Sequence, residues 1–153
     1  MNPLLKKLNY KTQAQVLIPN APDSFQKQKQ EVAQVCKVVE RYDAIEEIQF
    51  ALIFVTSKEE INQSIKTIVS QLADDPVLWY SYPKSSSKKY TCDFNRDNGW
   101  EALGEYGFEG VRQVSIDEDW SAIRFRKAAN IKTMTRTKDF AISKEAKAKT
   151  SGK

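Results

Sequence analysis

Two periods of apolar spacing run along this chain. Ile48-Gln49-Phe50-Ala51-Leu52-Ile53-Phe54-Val55 is a near-continuous apolar run. Such a run predicts a strand buried on both faces, as in a parallel sheet. Ile61, Ile65, Ile68, Val69 and Leu72 then recur at helical spacing, which predicts one apolar helix face reaching about Ala73. Ser57-Lys58-Glu59-Glu60 opens that helix as a capping box, in which Ser57 and Glu60 satisfy each other's orphan backbone donors. Asp74-Asp75-Pro76 should end it. Val77-Leu78-Trp79-Tyr80-Ser81-Tyr82 predicts the next strand, and Pro83 begins a polar loop. Strand, helix, strand with a crossover this long is a βαβ unit with parallel pairing, expected to be right-handed.

The flanks extend the pattern. Residues 1–13 are a polar lead-in with room for one helical turn at Leu4, Leu5 and Leu8. Ala14–Ile18 predicts a short first strand, stopped by Pro19-Asn20-Ala21-Pro22. Asp23 or Ser24 can cap a polar surface helix. Val32 to Val39 fits either a helical stripe or a strand; its β-branched content favours a strand at Gln34–Val39. Tyr42–Glu47 reads as a short helix or turn. A helix from Asn98 or Gly99 to Tyr106 should end at Gly107. Phe108–Ile116 and Ser121–Lys127, joined by a short acidic link, predict an antiparallel hairpin. Ala128–Ile142 has the character of a further short helix.

Charge changes the picture at one end. Residues 1–126 carry 16 basic and 18 acidic side chains, whereas 127–153 carry 8 basic and 2 acidic. A near-neutral body therefore precedes a basic end. The division predicted is an α/β domain over 1–142 and a basic flexible tail over 143–153. With 153 residues, 41% of them hydrophobic, a sizeable core is within reach. No run approaches the length of a membrane span and no signal peptide is evident, so a cytoplasmic location without a membrane partner is expected.

Several chemistries are excluded. The chain has no histidine, which removes Ser-His-Asp and Cys-His catalysis and every His-containing zinc site. A site for Mg²⁺ or Ca²⁺ made of carboxylates alone stays open. No glycine occurs before Gly99, so neither a Walker loop nor a standard dinucleotide fingerprint exists. Cys36 and Cys92 lack metal-type spacing and read as two unrelated thiols.

A mostly parallel sheet ending in an antiparallel hairpin resembles the class I S-adenosylmethionine-dependent methyltransferase fold, over about residues 14–127. The fold class expected is therefore α/β: a three-layer, Rossmann-like, methyltransferase-like sheet with a C-terminal antiparallel hairpin. The stretches Val16–Pro22, Phe54–Lys58, Leu78–Ser86, Arg96–Trp100 and Ile116–Arg126 also resemble a family of small bacterial proteins classed as a domain of unknown function. That resemblance implies no activity. The methyltransferase resemblance implies a glycine-rich loop after the first strand, where this chain has Pro19-Asn20-Ala21-Pro22. Two prolines stiffen that loop and remove two donors. S-adenosylmethionine would therefore be held only in an altered mode, and its use as a cofactor is not expected. The acidic ribose ligand the resemblance implies falls near Glu40.

Ligands of open parallel sheets sit beyond the carboxyl ends of the strands. Pro19–Ser24, Thr56–Ser57 and Tyr82–Lys89 reach that edge. Tyr82-Pro83-Lys84-Ser85-Ser86-Ser87-Lys88-Lys89-Tyr90 offers ammonium groups, hydroxyls and rings, a set suited to an anion or a nucleotide. It equally suits a solvated connection. The candidate ligand-binding residues are Asn20, Ser24, Tyr82, Lys84, Ser85, Ser86 and Lys88; no catalytic or metal-ligating residue is assigned. Asp117-Glu118-Asp119 reads as a hairpin turn, with ion pairs to Arg124 or Arg126, or as paired carboxylates. Trp79, Trp100 and Trp120 read as packing residues. Three functions follow. The first is a non-catalytic binding module for a small anionic or nucleotide-like ligand or a protein partner. The second is a divergent methyltransferase or a carboxylate-dependent hydrolase. The third is nucleic-acid binding through Lys84, Lys88, Lys89 and the tail.

Overall fold

The computed structural model describes residues 3–95 and 98–131. Its frame is a sheet of six strands in the order β2-β1-β3-β4-β6-β5. The strands are β1 (Gln15–Leu17), β2 (Lys37–Val39), β3 (Ile48–Phe54), β4 (Leu72–Pro83), β5 (Phe108–Ser115) and β6 (Trp120–Lys127). The first four are parallel, while β6 runs antiparallel to both β4 and β5. This is the Rossmann-like, methyltransferase-like arrangement, with the closing hairpin folded back so that its second strand lies against β4.

Four helices cover the two faces: α1 (Pro3–Lys7), α2 (Gln26–Ala33), α3 (Lys58–Ile68) and α4 (Glu101–Glu105). Alternation along each strand sends one set of side chains to each face. Ala51 and Ile53 of β3 and Leu78, Tyr80 and Tyr82 of β4 meet Ile61, Ile65 and Ile68 of α3, and Trp100 and Leu103 at α4. Phe50, Leu52 and Phe54 with Val77 and Trp79 meet Leu4 and Leu5 of α1 and Val32 of α2 on the other face. Strand β3 is buried on both faces except at Gln49, as its apolar run predicts.

The lead-in is more than a polar extension. Leu4, Leu5 and Leu8 are buried, and the Trp79 indole Nε1 donates to the Leu8 carbonyl at 2.9 Å. Helix α3 is shorter than its apolar stripe suggests: it ends at Ile68, and Leu72 already pairs with Ile48 in the sheet. An apolar residue on a helical period fits equally well at the start of a strand, and the sheet takes it. The residues 34–39 divide: the helix closes at Ala33, and only Lys37–Val39 forms a strand. Tyr42–Ala44 and Ala128–Asn130 are single 3₁₀ turns. The rest of the helix expected over 128–142, the tail over 143–153, and Arg96 and Asp97 of the stretch Arg96–Trp100 lie outside the described residues. Among the described residues, no helix is long and apolar enough to cross a membrane.

Candidate functional site

Strand order reverses between β1 and β3, because the chain leaves β1 for the β2 edge and leaves β3 for the β4 side. Ligands of such sheets settle in the crevice this reversal opens at the carboxyl edge. Here aromatic side chains pack at the end of β3. Phe25, from the 3₁₀ turn Asp23–Phe25, packs on Phe54 at the end of β3, with ring centroids 5.0 Å apart. Phe54 meets Trp120 edge-on at 5.2 Å, and Trp120 meets Tyr90 at 5.0 Å. Phe25, Phe54 and Trp120 are all buried. The loop above them keeps Pro19 buried and turns through Asn20, whose φ of 60° is left-handed. Asn tolerates that region better than most residues.

The polar groups at the end of β3 are also committed. Ser57 Oγ accepts the Glu60 amide at 3.1 Å, as the capping box predicts. Glu60 Oε1 accepts from the Thr56 amide and hydroxyl rather than from Ser57. Asp93, from the loop after β4, accepts the Lys58 amide at 2.8 Å. These contacts satisfy donors at the start of α3.

A cleft lies beyond β4. About 690 Å³ of space is lined by Tyr82 and Pro83 from the end of β4, Lys84, Ser85, Ser86 and Ser87 from the loop, and Tyr90, Thr91, Cys92, Phe94 and Asn95 farther on. Gln113 of β5 and Ser121 of β6 complete it. The Gln113 amide donates to the Tyr82 hydroxyl at 2.7 Å. Tyr82 also packs on Phe94 and Trp100, with centroids 5.8 and 5.7 Å away. One wall is thus aromatic and closely packed.

The other wall is a structured loop. Ser87 Oγ accepts the Tyr90 amide at 3.0 Å and donates to Asp119 at 2.9 Å. The Lys84 amide donates to the Asp119 carbonyl, and its ammonium reaches Ser115 Oγ at 2.8 Å. Asp117 Oδ1 accepts the amides of Asp119 and Trp120. The acidic link is therefore a turn that anchors the loop. Arg126 takes its carboxylate from Asp75 at 2.8 Å, not from this link. Ser85, Ser86 and Thr91 are exposed and form no side-chain hydrogen bond among the described residues.

Of the residues singled out from sequence, Tyr82, Lys84, Ser85 and Ser86 line this one cleft. Asn20 and Ser24 lie in the segment that follows β1, and neither they nor Lys88 is among the lining residues. Sequence reasoning passed over Thr91, Cys92, Phe94, Asn95 and Gln113. Only the proximity of Cys92 and Phe94 to the polar loop hinted at them; Gln113 arrives through strand pairing. The Cys92 thiol donates to the Phe94 carbonyl at 3.0 Å, and Cys36 and Cys92 are both free thiols. Among the described residues, no group of three or more Cys, Asp or Glu side chains is placed to hold a metal ion. Trp79, Trp100 and Trp120 are buried packing residues, as expected.

No protein-family model matches the chain, and no curated protein matches it. Among solved structures, the chain is similar to a candidate type 11 methyltransferase from Sulfolobus solfataricus. That likeness has 9% identity and a TM-score of 0.47, over 88% of this chain and 95% of the other. It is also similar to a protein in the NADB-Rossmann superfamily from Streptococcus agalactiae, at 14% identity and a TM-score of 0.45, over 83% of this chain and 68% of the other. At these values the likeness concerns the course of the backbone and brings no residue of either site to this chain.

Proposed function

We propose that this protein is a binding module that takes a small anionic, nucleotide-like ligand in the cleft beyond β4, without acting on it chemically. One observation carries the reading: buried aromatic rings pack at the end of β3, while the cleft beyond β4 is open and presents hydroxyls at Ser85, Ser86 and Thr91 that are uncommitted among the described residues. Lys84 supplies the charge for an anion, and the Tyr90 and Phe94 rings give faces for a flat group. The described lining residues include no carboxylate and no histidine, the usual general bases. Pockets of this size enclose small ligands.

Titration calorimetry with an adenine mononucleotide, S-adenosylmethionine and a small monocarboxylate tests the proposal. Binding of the nucleotide that weakens at least about tenfold in Lys84→Met is the expected result. Heat from none of the three, in protein shown to be folded, refutes it. A divergent methyltransferase remains the second reading, favoured by the strand order with its antiparallel closing hairpin. Tight binding of S-adenosylmethionine that survives Lys84→Met would place it first.

A further inference from the structure

The β5–β6 hairpin carries a second concentration of charge, on the opposite face from the cleft. Arg112 and Arg124 are direct cross-strand partners, and Arg124 pairs on its other side with Trp79 of β4. Residues next to each other in a strand point to opposite faces. Gln113 lines the cleft, so Arg112 points away from it, to the face covered by α1. Arg126, two residues on from Arg124, shares this face and is held by Asp75, with contacts of 3.3 and 2.8 Å.

Among the described residues, Arg112 and Arg124 have no such counter-ion. Neither forms an ion pair or a side-chain hydrogen bond among the described residues. Arg112 is exposed; Arg124 is half-buried, and its Nε is sealed from solvent without an acceptor. Like charges directly opposite each other on a sheet are destabilising, and a buried donor without a partner adds to the penalty. Burial first, then the charges of Arg126 and Arg112, pull the Arg124 guanidinium below its ordinary range, with Asp75 acting the other way. Two guanidiniums on adjacent strands can close on one tetrahedral oxyanion from two sides, and a phosphate matches them in both charge and donor geometry.

We propose that Arg112 and Arg124 form a phosphate-binding site on the α1 face of the hairpin, separate from the cleft. The phosphate belongs either to a small phosphorylated molecule or to a polynucleotide backbone. Arginine Nε–H resonances report on the guanidinium each belongs to, so the Arg124 signal senses phosphate held by its outer nitrogens. Inorganic phosphate, added against chloride at equal ionic strength, shifts the Arg124 Nε–H signal saturably, while that of Arg41, already paired with Asp43, stays in place. Arg112→Gln, at an exposed position that leaves the fold intact, weakens the response by about tenfold or more. A single-stranded thymidine oligonucleotide is the second arm. Stronger binding per phosphate than inorganic phosphate assigns the site to a polynucleotide, and weaker binding assigns it to a small molecule. The proposal is overturned if neither phosphate nor oligonucleotide moves the Arg124 signal beyond the chloride control, or if Arg112→Gln responds as the parent does.

Discussion

Ser64 of α3 and Tyr80 of β4 share a buried hydrogen bond of 2.8 Å that ties the crossover helix to the sheet. Its polarity follows from counting protons. The Ser64 hydroxyl donates its one hydrogen to the Ile61 carbonyl at 2.9 Å, so Tyr80 must be the donor to Ser64. Tyr80 is fully buried, and its ring is fixed between Trp100 and Phe125, each 5.9 Å away. Ser64→Ala would strand the Tyr80 proton in an apolar setting, at a cost of about 1–3 kcal/mol. Alanine returns about 0.5 kcal/mol through its better helix propensity. The net expected loss is about 0.5–2.5 kcal/mol. In the Tyr80→Phe background no donor is left to strand, and the same substitution should be neutral or stabilising by up to about 0.5 kcal/mol. Urea unfolding of the four proteins of this cycle measures both values, as shifts of midpoint at unchanged slope. An equal loss on Ser64→Ala in both backgrounds would refute the assignment of the donor.

Trp79→Phe removes the bond to the Leu8 carbonyl and leaves a smaller ring under α1. It should cost about 1–3 kcal/mol, and hydrogen exchange at the start of the chain should speed up more than exchange in β3. Gly99 and Gly107 both have positive φ, +96° and +86°, but a Cβ at Gly99 would lie 2.5 Å from the Phe94 Cβ, whereas one at Gly107 meets nothing within 4 Å. Gly107→Ala should therefore show the backbone penalty alone, about 1–2 kcal/mol, and Gly99→Ala a larger drop in thermal midpoint. Burial, with a smaller push from Glu60, raises the Tyr42 hydroxyl to about 12 from 10.0. The unfolded chain releases that proton first, so the stability it contributes is intact below about pH 10 and is lost as pH rises towards 12. Phenolate absorbance should show Tyr42 titrating late in the folded protein and early in urea; coincident titrations would count against the burial.

The order of elements was legible because strong periodic signals mark them. The β3 run, the α3 stripe and the hairpin around Asp117–Asp119 each follow from local spacing, and each appears within a few residues of its predicted place. Boundaries were less legible. Leu72 satisfies both a helical and a strand period, and pairing with Ile48 decides between them. The three leucines of the lead-in were visible, but nothing local says that a tryptophan 71 residues away will anchor them.

The same division holds for the site. Sequence alone established the missing histidines and early glycines, and with them the loss of several catalytic and phosphate-binding devices, because those absences belong to composition. It also placed Tyr82, Lys84, Ser85 and Ser86 together, because they are neighbours in the chain. Only the tertiary structure could show that Phe25, Phe54 and Trp120 pack together at the end of β3, that Gln113 and Ser121 close the cleft, and that Arg112 faces Arg124 without a counter-ion among the described residues. Those are relations between strands distant in sequence, set by sheet order and register, and no local pattern of side chains encodes them.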